Sequence, residues 1–215
     1  MPVPAPLPES LRGGYARFRA GRYLVDSRRY RDLAAAGQRP RTLLVACSDS
    51  RSAPEAVFDA RPGELFVVRN VAGLVPAYAP DAAAHGASAA LEYGVLALGV
   101  ESIVVMGHGR CGGIAAALDD AEPLSTTDFV GTWVAGLRSM AEEPAIAGIA
   151  DPDARRLALE HRSVERSIEH LRTFPWIRSR EAAGSLRLHG AWFDIGLGEL
   201  HEHTAGGWRR VDPEE

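Results

Sequence analysis

The chain has 215 residues, a net charge of −4, 46% apolar and 24% charged residues. Those values allow one domain with a substantial core, and the lack of a basic surplus argues against a nucleic-acid partner. Apolar runs are broken well short of a membrane span, and the first residues, MPVPAPLPES, carry neither the charged nor the apolar segment of a secretory signal, so a cytoplasmic protein with free thiols is expected.

Residues 1–10 are Pro-rich and read as an arm or a frayed end. From Leu11 to about Ala36, Tyr15, Phe18, Tyr23, Leu24 and Leu33 recur among arginines, which predicts broken amphipathic helices. Gly37-Gln38-Arg39-Pro40 stops that pattern. The run Thr42–Ala46 is short and wholly apolar, as in a strand buried on both faces of a parallel sheet. Glu64–Arg69 and Ser102–Met106 read as further strands, with a largely apolar helix over 85–99 between them. Helices are expected from near Gly112, from near Thr126 and over 160–173; the last carries Val164, Ile168 and Leu171 on one face. Two strands, Leu186–His189 and Trp192–Ile195, precede a turn at Gly196-Leu197-Gly198. Strands alternating with helices predict an α/β fold, a central and mainly parallel sheet flanked by helices. The organisation expected is one domain over 1–215 with an N-terminal helical arm of about residues 1–37.

Two cysteines are all the chain has, and each follows a predicted strand. Cys47 opens Cys47-Ser48-Asp49-Ser50-Arg51, and Cys111 closes His108-Gly109-Arg110-Cys111 before Gly112-Gly113. Sites in open α/β sheets gather beyond the carboxyl ends of strands, so adjacent strands would bring these two segments together. Two thiolates, one imidazole and one carboxylate make a full tetrahedral set for Zn²⁺. A helix starting at Gly112 would favour the Cys111 thiolate. Asp49 sets the character of the site. On the metal it closes a fourth position, as in structural zinc sites; held away by a bidentate pair with Arg51, it leaves that position open, as in catalytic ones. The Asp49–Arg51 pair therefore reads as a gate. A Cys47–Cys111 disulfide is the physical alternative.

The segments Cys47–Arg51, Gly63–Asn70 and Gly107–Gly113 closely resemble the β-class carbonic anhydrases, and the resemblance runs from about Leu11 to Gly198. It implies reversible hydration of CO₂ to bicarbonate and a proton through a zinc-bound hydroxide, with one zinc per subunit. By the same match Cys47, His108 and Cys111 are metal ligands, Asp49 is the carboxylate able to join them, and Asp49 and Arg51 form the catalytic dyad. Gln38, Phe66, Val71, Tyr93 and Gly112 match a substrate pocket that, in the family, lies at a subunit interface. An apolar slot with one amide donor suits CO₂. A homodimer or homotetramer is implied.

Leu44 stands where some bacterial relatives place a Trp serving an inhibitory bicarbonate site, so a form without bicarbonate-linked closure is expected. Two thiolates offset the charge of zinc, and activity is expected to rise into the alkaline range. His85 is the candidate proton shuttle, weighed against a plain surface histidine. Two other readings stand beside this one. A related site could hydrolyse a CO₂ analogue such as carbonyl sulfide, and a permanently closed metal would make a structural zinc module.

Overall fold

The computed structural model describes residues 3–81, 83–119 and 123–213. The chain falls into two compact units, Met1–Gln38 and Arg39–Glu215. The first is a pair of helices, α1 (Glu9–Ala20) and α2 (Arg22–Ala36), broken at Gly21 and stopped at Gly37. Phe18 packs edge-on to Tyr30 with ring centroids 5.9 Å apart, and Tyr23 stacks on Tyr30 at 5.4 Å. Aromatic contacts of this kind hold two short helices that bury no apolar side chain between them.

The second unit contains the sheet. In chain order it runs β1 (Thr42–Cys47), α3 (Pro54–Val57), β2 (Leu65–Asn70), α4 (Gly86–Glu92), β3 (Ser102–His108), α5 (Gly112–Leu118), α6 (Phe129–Ala141), α7 (Pro144–Ala147), α8 (Pro152–Leu171), α9 (Pro175–Ala182), β4 (Arg187–Asp194), β5 (Glu199–Thr204) and β6 (Gly207–Arg210). Strand order is β2-β1-β3-β4-β5-β6. The first four strands are parallel, and β4–β5 and β5–β6 are antiparallel. The mainly parallel α/β sheet expected from the alternating pattern is therefore present.

β1 is central, and its uninterrupted apolar sequence is buried on both faces. Leu43 and Val45 enter a core with Ile103, Val105, Val164, Ile168 and Leu171, whereas Leu44 and Ala46 meet Met106 and Ala191. A third cluster, formed by Ile114, Val134, Leu137, Met140 and Leu159, surrounds Cys47 and Cys111.

Several boundaries differ from the sequence reading. The helix expected over 85–99 is α4 followed by one π-helical turn over Tyr93–Ala97. The helix expected near Thr126 begins at Phe129, because the Asp128 side chain caps it by accepting from Gly131 N–H at 3.0 Å. α8 begins at Pro152 rather than near 160, capped by Asp151 at Ala154 N–H. The two strands expected over 186–195 are one strand, β4, running through Gly190. A Cβ at Gly190 would lie 3.0 Å from His203 Cβ and 3.1 Å from both Ile168 and Val164, so glycine here lets α8 and β5 close on the strand. β5 and β6 form a hairpin beyond the last element expected from the sequence. Its charges pair across strands, Arg209 with Glu202 and Arg210 with Glu199. The turn at Gly196–Gly198 is built on Asp194, whose Oδ1 accepts from Gly196 and Leu197 N–H.

Candidate metal centre

β1 and β3 are parallel neighbours, with Ala46 opposite Met106, so their carboxyl ends emerge on the same edge. Cys47 ends β1, His108 ends β3, and Cys111 is the N-cap of α5. The three are 7%, 2% and 3% exposed. Their donor atoms all lie within 4.8 Å of one another, and the two sulfurs are 3.9 Å apart as free thiols rather than a disulfide.

Local sequence chemistry fixes each donor. The Gly109 carbonyl accepts from His108 Nδ1–H at 2.9 Å, which leaves Nε2 as the lone-pair nitrogen. That Nε2 is buried with no hydrogen-bond partner among the described residues. A buried, unpaired nitrogen facing two sulfurs is a donor set for a soft or borderline divalent cation such as zinc. Behind Cys47, Gly73 adopts φ +64°, and a Cβ there would stand 2.9 Å from the Cys47 nitrogen. Arg69 donates to the carbonyls of Cys47 and Asp49 at 2.9 and 2.6 Å, tying β2 to the loop after β1.

Asp49 is turned to Arg51. Arg51 Nε and a terminal nitrogen donate to its two oxygens at 3.0 and 2.8 Å, and the Arg51 backbone N–H adds a third bond at 2.9 Å. Arg51 also donates to the Arg110 carbonyl at 3.2 Å. Asp49 Oδ2 remains 3.9 Å from His108 Nε2, beside the three donors.

The charges are coupled. The hydrogen bonds from Arg51 hold the Asp49 carboxyl well below the usual carboxylate range, against a smaller opposing effect of burial. The hydrogen bond from Cys111 pulls the Cys47 thiol down to about 4, and the same bond, with burial, pushes Cys111 up. His108 is drawn down by burial, but the Cys47 thiolate and the Gly109 carbonyl outweigh that and raise it. Two sulfurs in contact cannot both ionise without a cation between them, so the arrangement fits a dication.

The residues matched to a substrate pocket are placed differently from one another. Val71 is 40% exposed, with a methyl 3.3 Å from where a Gly113 Cβ would lie, and its carbonyl accepts from the Trp133 indole at 2.8 Å. Gly112 is exposed at the start of α5, with open space where a Cβ would sit. Phe66 and Tyr93 pair with ring centroids 5.9 Å apart. Phe66 is opposite Leu43, four residues before Cys47 and so about 13 Å along the strand from the sulfur end of its own chain. Gln38 is exposed and closes the N-terminal unit. His85 bonds Asp81 at 2.6 Å.

Sequence reasoning gave no role to Arg69 and passed over Glu160 and Trp192. Glu160 accepts from the Cys111 N–H at 3.3 Å and from the Trp192 indole at 3.0 Å, buried on α8. One signal was available: Glu160 stands on the stripe that continues through Val164, Ile168 and Leu171, a charge where the helix is otherwise apolar.

Comparison with known proteins places these features in context. Residues 42–200 match the family model described as carbonic anhydrase. The chain is 36% identical over 188 residues to β carbonic anhydrase 5, chloroplastic, of Arabidopsis thaliana, covering 87% of this chain and 62% of that protein's length. It is 37% identical over 187 residues to a carbonic anhydrase of Pseudomonas aeruginosa, covering 87% of this chain and 83% of that one. Among solved structures, the β-carbonic anhydrase CcaA superposes with TM-score 0.85 at 29% identity, covering 95% of this chain and 98% of that one. A tetrameric β-carbonic anhydrase of Sordaria macrospora superposes at 0.78 with 31% identity, covering 93% and 96%.

Proposed function

From a chain that belongs to the carbonic anhydrase family, in its β class, we infer an enzyme that interconverts CO₂ and bicarbonate with release of a proton, on zinc held by Cys47, His108 and Cys111. The observation that carries this reading is the buried cluster of two sulfurs and an unpaired imidazole nitrogen within 4.8 Å, beside a carboxylate that an arginine holds.

When bound, zinc supplies Lewis acidity, which makes water acidic enough to serve as a nucleophile near neutral pH. The protein's own groups do the rest. Cys47 and Cys111 bring two negative charges to the cation, and His108 brings none. Asp49 is too weakly basic in the grip of Arg51 to store a proton. It would act instead as a fixed hydrogen-bond acceptor that orients the attacking water, whose proton leaves directly to solvent or buffer. Arg51 spends both fork positions on Asp49, which favours the open arrangement over a carboxylate on the metal. Leu44, buried against Ala46 and Met106, occupies the position associated with bicarbonate-linked closure, and a form without that closure is part of the proposal.

Val71 and Gly112 border the site from within the chain. Phe66, distant along β2 from the donors, and Tyr93, paired with it, match a pocket that in the family lies between subunits, so a homodimer or homotetramer is the proposed working form. The Sordaria relative is tetrameric. A cytoplasmic location is part of the proposal, in keeping with Cys47 and Cys111 serving as metal ligands rather than a disulfide.

Stopped-flow CO₂ hydration at pH 8.5, with zinc measured on the same sample, tests the reading. Fast hydration with about one zinc per chain is expected, both lost in Cys111→Ala. Full zinc without hydration would overturn the assignment of activity.

A further inference from the structure

Glu160 takes no part in the chemistry above, yet it is 3% exposed. A buried carboxylate is costly unless both oxygens are bonded, and an apolar side chain would fill the space between α8 and β3 at less cost. Here both oxygens are used. One accepts the Cys111 backbone N–H at 3.3 Å and the other the Trp192 indole N–H at 3.0 Å.

The turn that Glu160 touches joins two of the three metal donors. Arg110 sits in the left-handed region at φ +57°, a conformation a side-chain-bearing residue keeps only when its surroundings hold it there. Each peptide group of the turn is fastened. Gly109 N–H donates to the Phe193 carbonyl of β4 at 2.9 Å, the Arg110 carbonyl accepts from Arg51 at 3.2 Å, and Cys111 N–H reaches Glu160. α8 approaches closely enough that a Cβ at Gly107 would lie 2.8 Å from Val164.

We propose that Glu160 is a positioning residue for the metal centre: its two oxygens clamp the Cys111 peptide to Trp192 and so hold the Cys111 sulfur where the ion needs it. The proposal rests on the reading of Cys47, His108 and Cys111 as the zinc-holding set. It gives Glu160 no contact with substrate.

The clamp needs two acceptors. Glu160→Gln keeps shape and volume but leaves one acceptor oxygen for two N–H donors, and it turns an amide N–H₂ toward the other. Removing the indole donor, Trp192→Phe, breaks the same clamp from its other end. The test is zinc affinity by chelator competition on the purified full chain, a readout independent of CO₂, with thermal melts of the metal-free proteins alongside. Glu160→Gln is expected to weaken zinc by about 10–100-fold, as partners of metal ligands typically do. The double variant Glu160→Gln/Trp192→Phe is expected to weaken zinc no further than Glu160→Gln alone, because the two changes break one clamp.

Zinc affinity unchanged in Glu160→Gln would make the residue space-filling and overturn the proposal, as would losses in the two single variants that simply add in the double variant. Should Glu160→Gln not fold, Trp192→Phe alone decides. Freeing the second oxygen is expected to speed zinc release about threefold, by the usual scale of one lost supporting bond, and an unchanged release rate overturns the clamp. An unsubstituted chain that holds no zinc would overturn the metal reading and the clamp together, an outcome distinct from equal affinity in chain and variant.

Discussion

Two imidazoles in this molecule, His108 and His161, have an Nε2 that is buried without a hydrogen-bond partner among the described residues, and their surroundings give them opposite characters. His108 faces Cys47, Cys111 and the Asp49 carboxylate, and those negative neighbours raise its affinity for a proton in spite of burial. His161 lies between indoles, stacked on Trp208 at 4.2 Å and edge-on to Trp192 at 5.3 Å. Burial, then His201 and His203, pull it down to about 4. An unpaired ring nitrogen therefore says little by itself. Beside sulfur and carboxylate it is a place for a cation; between aromatic faces it is a neutral plate in a stack.

Exchanging each ring for phenylalanine breaks or sharpens that contrast. His108→Phe is expected to abolish zinc retention and lower CO₂ hydration by about 10³-fold or more, whereas His161→Phe, which keeps an aromatic ring against Trp192, should keep zinc and activity within about twofold. Loss of zinc from the His161 variant would erase the distinction. Metal analysis and stopped-flow rates on both proteins decide.

Arg51→Gln removes the bidentate hold on Asp49 while leaving all three donors in place. Zinc content should stay near that of the unsubstituted chain, and kcat/KM should fall by about 10²-fold, the usual scale for losing one fixed electrostatic partner. A rate near that of the unsubstituted chain would show that the three donors alone account for the site.

Gly73→Ala reaches the same site through backbone sterics. A Cβ at that positive φ, 2.9 Å from the Cys47 nitrogen, should cost about 1–3 kcal/mol in urea unfolding. The same change at exposed Gly184, also at positive φ but with open space around its Cβ, should cost less.

A further contrast is a pH dependence at the stacked ring. His161 has a folded value of about 4 against 6.5 in an unfolded chain. Between those values the unfolded chain binds a proton that the folded one refuses. Its contribution is thus intact above pH 6.5 and declines as pH falls toward 4, by up to about 1 kcal/mol per pH unit. Urea midpoints from pH 7 to 4.5 should fall less steeply in His161→Phe, which keeps a ring between the indoles. Equal slopes would mean that His161 does not carry the dependence.

Much of the site was legible because its signals are local. A continuous apolar run ends at Cys47, another ends at His108, and the spacing to Cys111 crosses one tight turn, so strand-end chemistry could be read from adjacent letters. Glu160 and Trp192 were not, since their contact joins α8 to β4 across 32 residues and depends on how closely the helix approaches the sheet. The β5–β6 hairpin escaped for another reason. Half-exposed strands carrying Glu and Arg on facing positions look like polar loop until cross-strand pairing is known. Gly190 misled in turn: glycine inside an apolar run reads as a break, but here it admits a helix.

The amino-acid sequence by itself determined which donor atoms this protein owns, that they close buried parallel strands, and that a carboxylate and an arginine stand two residues apart beside the first of them. Those properties follow from hydrophobic period and covalent proximity. Only the tertiary structure decided that Asp49 turns to Arg51 and that Glu160 fastens the Cys111 peptide. Each of those depends on strand register and helix approach, where the direction of a side chain is set by packing among segments far apart in the chain.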